Sequence, residues 1–64
     1  MIRFVVVSTV PGVDAGQLAA EIGRLLGGKG WGRAELGEGF GRDAETVPEA
    51  RELAAARLRE EPAP

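Results

Sequence analysis

The chain opens with its most concentrated hydrophobic run: Phe4, Val5, Val6 and Val7 stand together between Arg3 and Ser8-Thr9. Aromatic and β-branched side chains favour extended backbone, and Pro11-Gly12 ends the run well short of a membrane span, so the spacing predicts a strand, β1, within Met1 to Val10. On a two-residue period Ile2, Phe4, Val6 and Val10 face one way and Val5 and Val7 the other. Both faces are apolar at the centre, so such a strand needs cover on each side.

A helical period follows. Ala15, Leu18, Ala19, Ile22, Leu25 and Leu26 recur at i, i+3, i+4 and i+7, predicting a helix, α1, that lays this stripe on β1. Asp14 is placed as its N-cap, with Gln17 completing a capping box, and Gly27-Gly28 ends it, Gly27 suiting the left-handed position after the last turn. Flanking the stripe runs a strip of small residues, Gly16, Ala20, Gly23 and Gly27. A glycine inside a helix costs about 1 kcal/mol relative to alanine, so the strip either serves close backbone approach by another chain or element, or reflects Ala/Gly-biased composition, which ranks slightly ahead. A second helix, α2, is predicted from Val47 to about Glu60: Thr46-Val47-Pro48-Glu49 is a capping box with proline in the first turn, and Val47, Ala50, Leu53, Ala54 and Leu58 form a thin buried stripe.

Between the helices the pattern Gly-x-Gly-aromatic-Gly-Arg occurs twice at a nine-residue interval, at Gly28–Arg33 and Gly37–Arg42. Seven of the ten glycines lie between Gly27 and Gly41, which makes strands with weakly fixed register. A strand, β2, is expected near Trp31 to Leu36. A hairpin about Glu35-Leu36 would return as β3, setting Trp31 opposite Phe40 and Arg33 opposite Glu38. Neither turn residue is the glycine or asparagine a tight turn prefers.

Composition narrows the chemistry. At 64 residues the chain is one small domain, residues 1–61 with a frayed tail at 62–64, near the length at which stability is marginal without a staple or a partner. Cysteine, histidine and tyrosine are all absent, leaving carboxylates, Ser8, Thr9, Thr46 and Lys29 for proton transfer or nucleophilic attack. No catalytic residue, metal ligand or cofactor is assigned on that inventory, and an enzyme is not expected. Self-association is then the simplest staple. The net charge of −2 argues mildly against a general nucleic-acid binder. The initial apolar run is too short for a secretory signal or a membrane span, so the expected location is cytoplasmic.

Nucleotide motifs mostly fail. Ser8 to Asp14 contains neither a P-loop nor a dinucleotide fingerprint, and Asp14 would repel an anion at the start of α1. Gly27-Gly28-Lys29-Gly30 has the GxxG form of a KH loop without a good helix after it. The repeat is the better nucleic-acid candidate: Trp31 and Phe40 for stacking on single-stranded bases, Lys29, Arg33 and Arg42 for phosphates, interrupted by Glu35 and Glu38. Closure of the core by the two aromatics, on the sheet face left open by the helices, ranks ahead of that use.

Two family resemblances bear on function. Glu21-Ile22-Gly23-Arg24-Leu25-Leu26-Gly27-Gly28 resembles the double-glycine leader of exported peptides, with one expected leucine displaced to Leu18; an amphipathic helix ended by Gly-Gly accounts for the same residues and ranks well ahead. The Pro-Gly-Val-Asp turn, the Leu-Gly-Glu-Gly-Phe segment and the Pro-Glu-Ala-Arg-Glu-Leu helix, in that order after a first strand, resemble the small PurS subunit of formylglycinamidine ribonucleotide synthase. The resemblance implies a βαββα accessory subunit that dimerises through its sheet. The chain lacks that family's Leu-Asp-Pro-Gln-Gly and its closing strand, and no residue is carried over.

The sequence is therefore read as a small two-layer α/β (α+β) domain, β1-α1-β2(-β3)-α2, with a short sheet and two helices. The function expected of it is a non-catalytic interaction module that self-associates, as a homodimer or higher, through its sheet or glycine-rich segment, with Phe4, Val6, Gly16, Ala20 and Gly23 as the candidate contact residues. Its partner is itself or another protein, with no membrane. Binding of single-stranded nucleic acid through Lys29, Trp31, Arg33, Phe40 and Arg42 ranks second.

Overall fold

The computed structural model describes residues 1–59, so the expected tail at 62–64 and the end of α2 at Glu60 lie outside the described residues. The elements run β1 (Ile2–Val7), α1 (Ala15–Leu25), β2 (Lys29–Gly32), β3 (Leu36–Gly41), a single 3-10 turn (Ala44–Thr46) and α2 (Val47–Arg59). The fold is the expected two-layer α+β arrangement, and the returning strand of the hairpin is present. β3 is central, antiparallel to β1 on one side and to β2 on the other. β1 and β2 are therefore parallel, with β3 inserted between them and α1 making the crossover.

Both helices lie on one side of the sheet. The core between them is Val6, Ala15, Leu18, Ala19, Ile22, Leu26 and Ala50, with Ile2, Phe4, Val47, Leu53, Ala54 and Leu58 half-buried around it. Leu25, assigned to the buried stripe by its spacing, is instead exposed at the last turn of α1. Only β1 offers large side chains to this core. On β3 and β2 the helix-facing positions are Gly37, Gly39, Gly41 and Gly30, so α1 rests directly on strand backbone. A Cβ on Gly37 would lie 2.3 Å from the Ala15 carbonyl oxygen, and one on Gly41 2.2 Å from the Leu26 Cβ. The small-residue strip on α1 completes this contact from the other side: Gly16 sits over Gly32, and Gly23 over Lys29. The strip thus serves close approach, to the chain's own hairpin.

Both ends of α1 are tied down. The Asp14 carboxylate accepts from the Gln17 N–H at 3.0 Å, as expected of an N-cap. At the other end Gly27 takes φ +76°, its N–H donating to the Arg24 carbonyl while the Gly28 N–H reaches the Gly23 carbonyl, a Schellman ending. The Arg42 and Asp43 N–H groups both donate to the Leu26 carbonyl, and the Thr46 hydroxyl lies within hydrogen-bond reach of the Leu25 and Asp43 carbonyls. Thr46 therefore links the end of α1 to the start of α2.

The hairpin departs from the expected register by two residues. Trp31 pairs with Glu38, not Phe40, because the turn is centred on Ala34-Glu35, with the Arg33 N–H donating to the Leu36 carbonyl. The turn needs no glycine because it is held from outside. Its Arg33 and Ala34 carbonyls accept from the Gly16 and Ala15 N–H groups of the first turn of α1, and its Glu35 carbonyl from the Ser8 N–H. Helix-start donors that would otherwise be unpaired are used in fixing the register.

Candidate functional site

The side of the sheet away from the helices is bare. Alternation along the strands and the pairing register place Arg3, Val5 and Val7 of β1, Leu36, Glu38 and Phe40 of β3, and Lys29 and Trp31 of β2 on that outer face. They form rows across the sheet: Lys29–Phe40–Arg3, then Trp31–Glu38–Val5, then Leu36–Val7. Val5 and Val7 are 65% and 62% exposed and Trp31 50%, so the two-sided strand read from the sequence has cover on one side only. A contiguous apolar patch with charged neighbours marks a binding surface more often than scattered exposed residues do.

Trp31 and Phe40 meet edge to face, ring centroids 6.1 Å apart at 63°, as diagonal neighbours on the outer face. They lie on the sheet face left open by the helices, where the core-closing use that ranks ahead in the sequence also sets them, and there Trp31 stays half exposed. Among the described residues the one ion pair is Arg57–Glu21, at 2.8 Å between the two helices. Arg3, Lys29, Arg33 and Arg42 have no carboxylate in ion-pair range among those residues and are exposed. Of the five candidate binding residues, the structure puts Lys29, Trp31 and Phe40 on the face, Arg33 at the hairpin turn beside it, and Arg42 past the end of β3, where its N–H ties to α1. Arg3 and Glu38 belong to the face as well. Alternation in β1 already set Arg3 beside Val5 and Val7; Glu38 enters through the register that the sequence left open.

The two copies of the repeat are not equivalent sites. Gly30, Gly32, Gly37 and Gly41 serve the contact with α1 and its C-cap, Gly28 and Gly39 lie against strand backbone and Phe4, and only the alternate residues point outward. The five residues assigned to self-association are engaged inside the chain: Val6 is buried, Phe4 packs on the core, Ala20 is half-buried, and Gly16 and Gly23 lie against the backbone of β2 and the residues that flank it.

The remaining candidate chemistry is used structurally. Ser8 is buried, its hydroxyl donating to the Val13 carbonyl at 3.0 Å and lying 3.3 Å from the Val10 N–H that it accepts. The first N–H groups of α1 are occupied by the hairpin turn, which removes that helix start as an anion site. Among the described residues no cluster of three potential metal ligands occurs, and no helix is long and apolar enough to cross a membrane.

No family model matches the chain. It is similar to alanine–tRNA ligases: 46% identical over 48 residues to that of Picosynechococcus sp., 43% over 49 to that of Thermosynechococcus vestitus, and 37% over 57 to that of Methanoculleus marisnigri. These matches take in 75%, 77% and 89% of this chain, and the chain spans about 6% of the length of each relative. Among solved structures it superposes on the C-Ala domain of Aquifex aeolicus alanyl-tRNA synthetase with a TM-score of 0.75 and 34% identity, covering 88% of this chain and 53% of that one.

These similarities correct the functional reading of the sequence. A self-associating accessory module, a PurS-like subunit and a double-glycine leader all give way to a likeness with one segment of tRNA ligases. The expectation that no enzyme is involved is corrected too, since the relatives are ligases, matched here over a small part of their length. Thin acid/base inventory misled because it speaks only for the residues in this chain, and exposed valines misled because an uncovered sheet face does not say what covers it.

Proposed function

We propose that the chain is an RNA-binding module of the C-Ala type, which holds tRNA for an alanine–tRNA ligase through the open face of its sheet. The names of its relatives supply the partner and the ligase, and the cytoplasm is the place of action in this reading. The observation that carries the reading is Trp31, half exposed beside Phe40 on a face whose cations, Lys29 and Arg3, have no carboxylate partners among the described residues.

The physics of such a face is general. Base stacking on an exposed ring is worth about 1–3 kcal/mol and needs no base pairing partner on the protein. Lysine and arginine free of carboxylates neutralise phosphates and release counterions, so binding weakens as salt rises. The net charge of −2 is compatible with this because the open face itself carries Arg3 and Lys29 against the single carboxylate of Glu38. In this role the module adds residence time for tRNA on the ligase, and its share of the reaction is positional.

The test is a titration of the chain with tRNA, following the emission of its single tryptophan. Saturable quenching that weakens between low and moderate salt supports the reading. Emission unmoved by tRNA at low salt overturns it.

A further inference from the structure

Glu38 stands in the middle of the open face, where a surface built only for phosphates would carry a cation or a neutral residue. It is the cross-strand partner of Trp31 on one side and of Val5 on the other. It is exposed and has no cation in ion-pair range among the described residues, although Lys29 and Arg3 occupy the adjacent row. Directly paired residues hold their Cβ atoms about 5 Å apart, so an ionised acceptor lies beside the indole ring, where the edge of a stacked base falls. The outer face is hollowed there, a depression of ≈ 410 Å³ bounded by Met1, Arg3, Val5, Trp31, Glu38 and Phe40.

We infer that this hollow takes one unpaired guanine, stacked on Trp31, with the Glu38 carboxylate accepting from its Watson–Crick edge and a neighbouring phosphate on Lys29 or Arg3. The inference rests on the proposed RNA-binding role. A carboxylate only accepts hydrogen bonds. Guanine is the base that offers two adjacent donors on that edge, the ring N1–H and the exocyclic amino group, matching the two carboxylate oxygens in parallel. Uracil offers one N–H flanked by carbonyl oxygens, which a carboxylate repels. Adenine and cytosine offer one amino group beside an unprotonated ring nitrogen, which it repels as well. Glu38 thereby turns a sequence-tolerant stacking surface into one that discriminates, at the cost of some attraction for phosphate.

The experiment uses the 64-residue chain and ten-nucleotide single-stranded uridine tracts carrying one central guanine, adenine, cytosine or uridine, read by quenching of Trp31 at low salt. The expected result is about a tenfold preference for the guanine tract, in the range a good bidentate contact gives. In Glu38→Gln that preference falls to within about twofold, while the all-uridine tract binds more tightly because a negative charge has gone. Opposite movement of the two tracts is an outcome that a merely structural role for Glu38 does not produce. A guanine preference that persists in Glu38→Gln overturns the inference. So does equal binding of all four tracts, and if that equal binding still requires Trp31 the RNA-binding reading survives without it. If neither tRNA nor any tract alters the emission, both fail together.

Discussion

Gly23 faces the backbone of Lys29 with room for a hydrogen and nothing larger: a methyl group there would lie 2.3 Å from the Lys29 carbonyl carbon and 2.6 Å from its oxygen. Elsewhere in a helix Gly→Ala stabilises by about 1 kcal/mol. Here the obstacle is strand backbone, which moves only if α1 lifts from β2, and overpacking of this kind costs about 1–3 kcal/mol or more. Gly23→Ala is therefore expected to be net destabilising by about 2 kcal/mol, lowering the melting temperature by about 10 °C in a domain of this size. Thermal unfolding followed by circular dichroism measures the sign, and a more stable variant would show that the layers are not in backbone contact.

Trp31 and Phe40 separate stability from binding. Trp31 is half exposed and contributes an edge-to-face contact, so Trp31→Ala should cost no more than about 1.5 kcal/mol of stability. Its loss of tRNA affinity should be at least about fivefold, from a stacking contribution of about 1–3 kcal/mol. Equilibrium unfolding and filter binding on the same preparation test both halves; undiminished affinity in Trp31→Ala would move the interface off this face.

Much of the fold was legible because its signals are local. The extended run at Phe4–Val7, the Asp14 cap and the Gly27 ending each depend on neighbouring residues, and each appears where the spacing placed it. The hairpin register was not legible, because it is set by the Ala15 and Gly16 N–H groups reaching the Ala34 and Arg33 carbonyls across almost twenty residues of chain. Glycine at every helix-facing position of β2 and β3 also removes the inward hydrophobic residues that normally fix register. For the candidate face, alternation placed Val5 and Val7 on a second apolar side, and the repeat singled out Lys29, Trp31 and Phe40, which the register sets on that side. Composition obscured the rest: a chain with net charge −2 hides local cations, and a bare face reads equally as a dimer interface or a ligand platform.

The same long-range link makes a prediction about Asp14. Removing an N-cap carboxylate costs about 1 kcal/mol in the usual case, and the damage stays within the helix. In this chain the first-turn N–H groups also hold the hairpin turn, so Asp14→Ala should loosen a segment about twenty residues away. Hydrogen exchange is expected to accelerate at Gly16 and Leu18 and also at Arg33, whose N–H closes the turn on the Leu36 carbonyl. Acceleration confined to α1 would show that the turn stands without the helix.

Charge removal distinguishes the cations of the open face from those of the helix layer. Lys29 and Arg3 flank Phe40 with no carboxylate partner among the described residues, whereas Arg57 is paired with Glu21 at 2.8 Å between the helices. Every phosphate that goes unneutralised lowers the slope of log affinity against log salt by about 0.7–0.9. Lys29→Gln and Arg3→Gln should each reduce the slope by that amount and weaken tRNA binding evenly across tRNAs, because phosphate recognition carries no base information. Arg57→Gln should leave the slope unchanged and cost less than about 1 kcal/mol of stability, the usual worth of an exposed pair. Affinities at four salt concentrations decide the matter: if the Arg57 variant alters the slope and the Lys29 variant does not, the RNA lies along the helices and the sheet face must have another occupant.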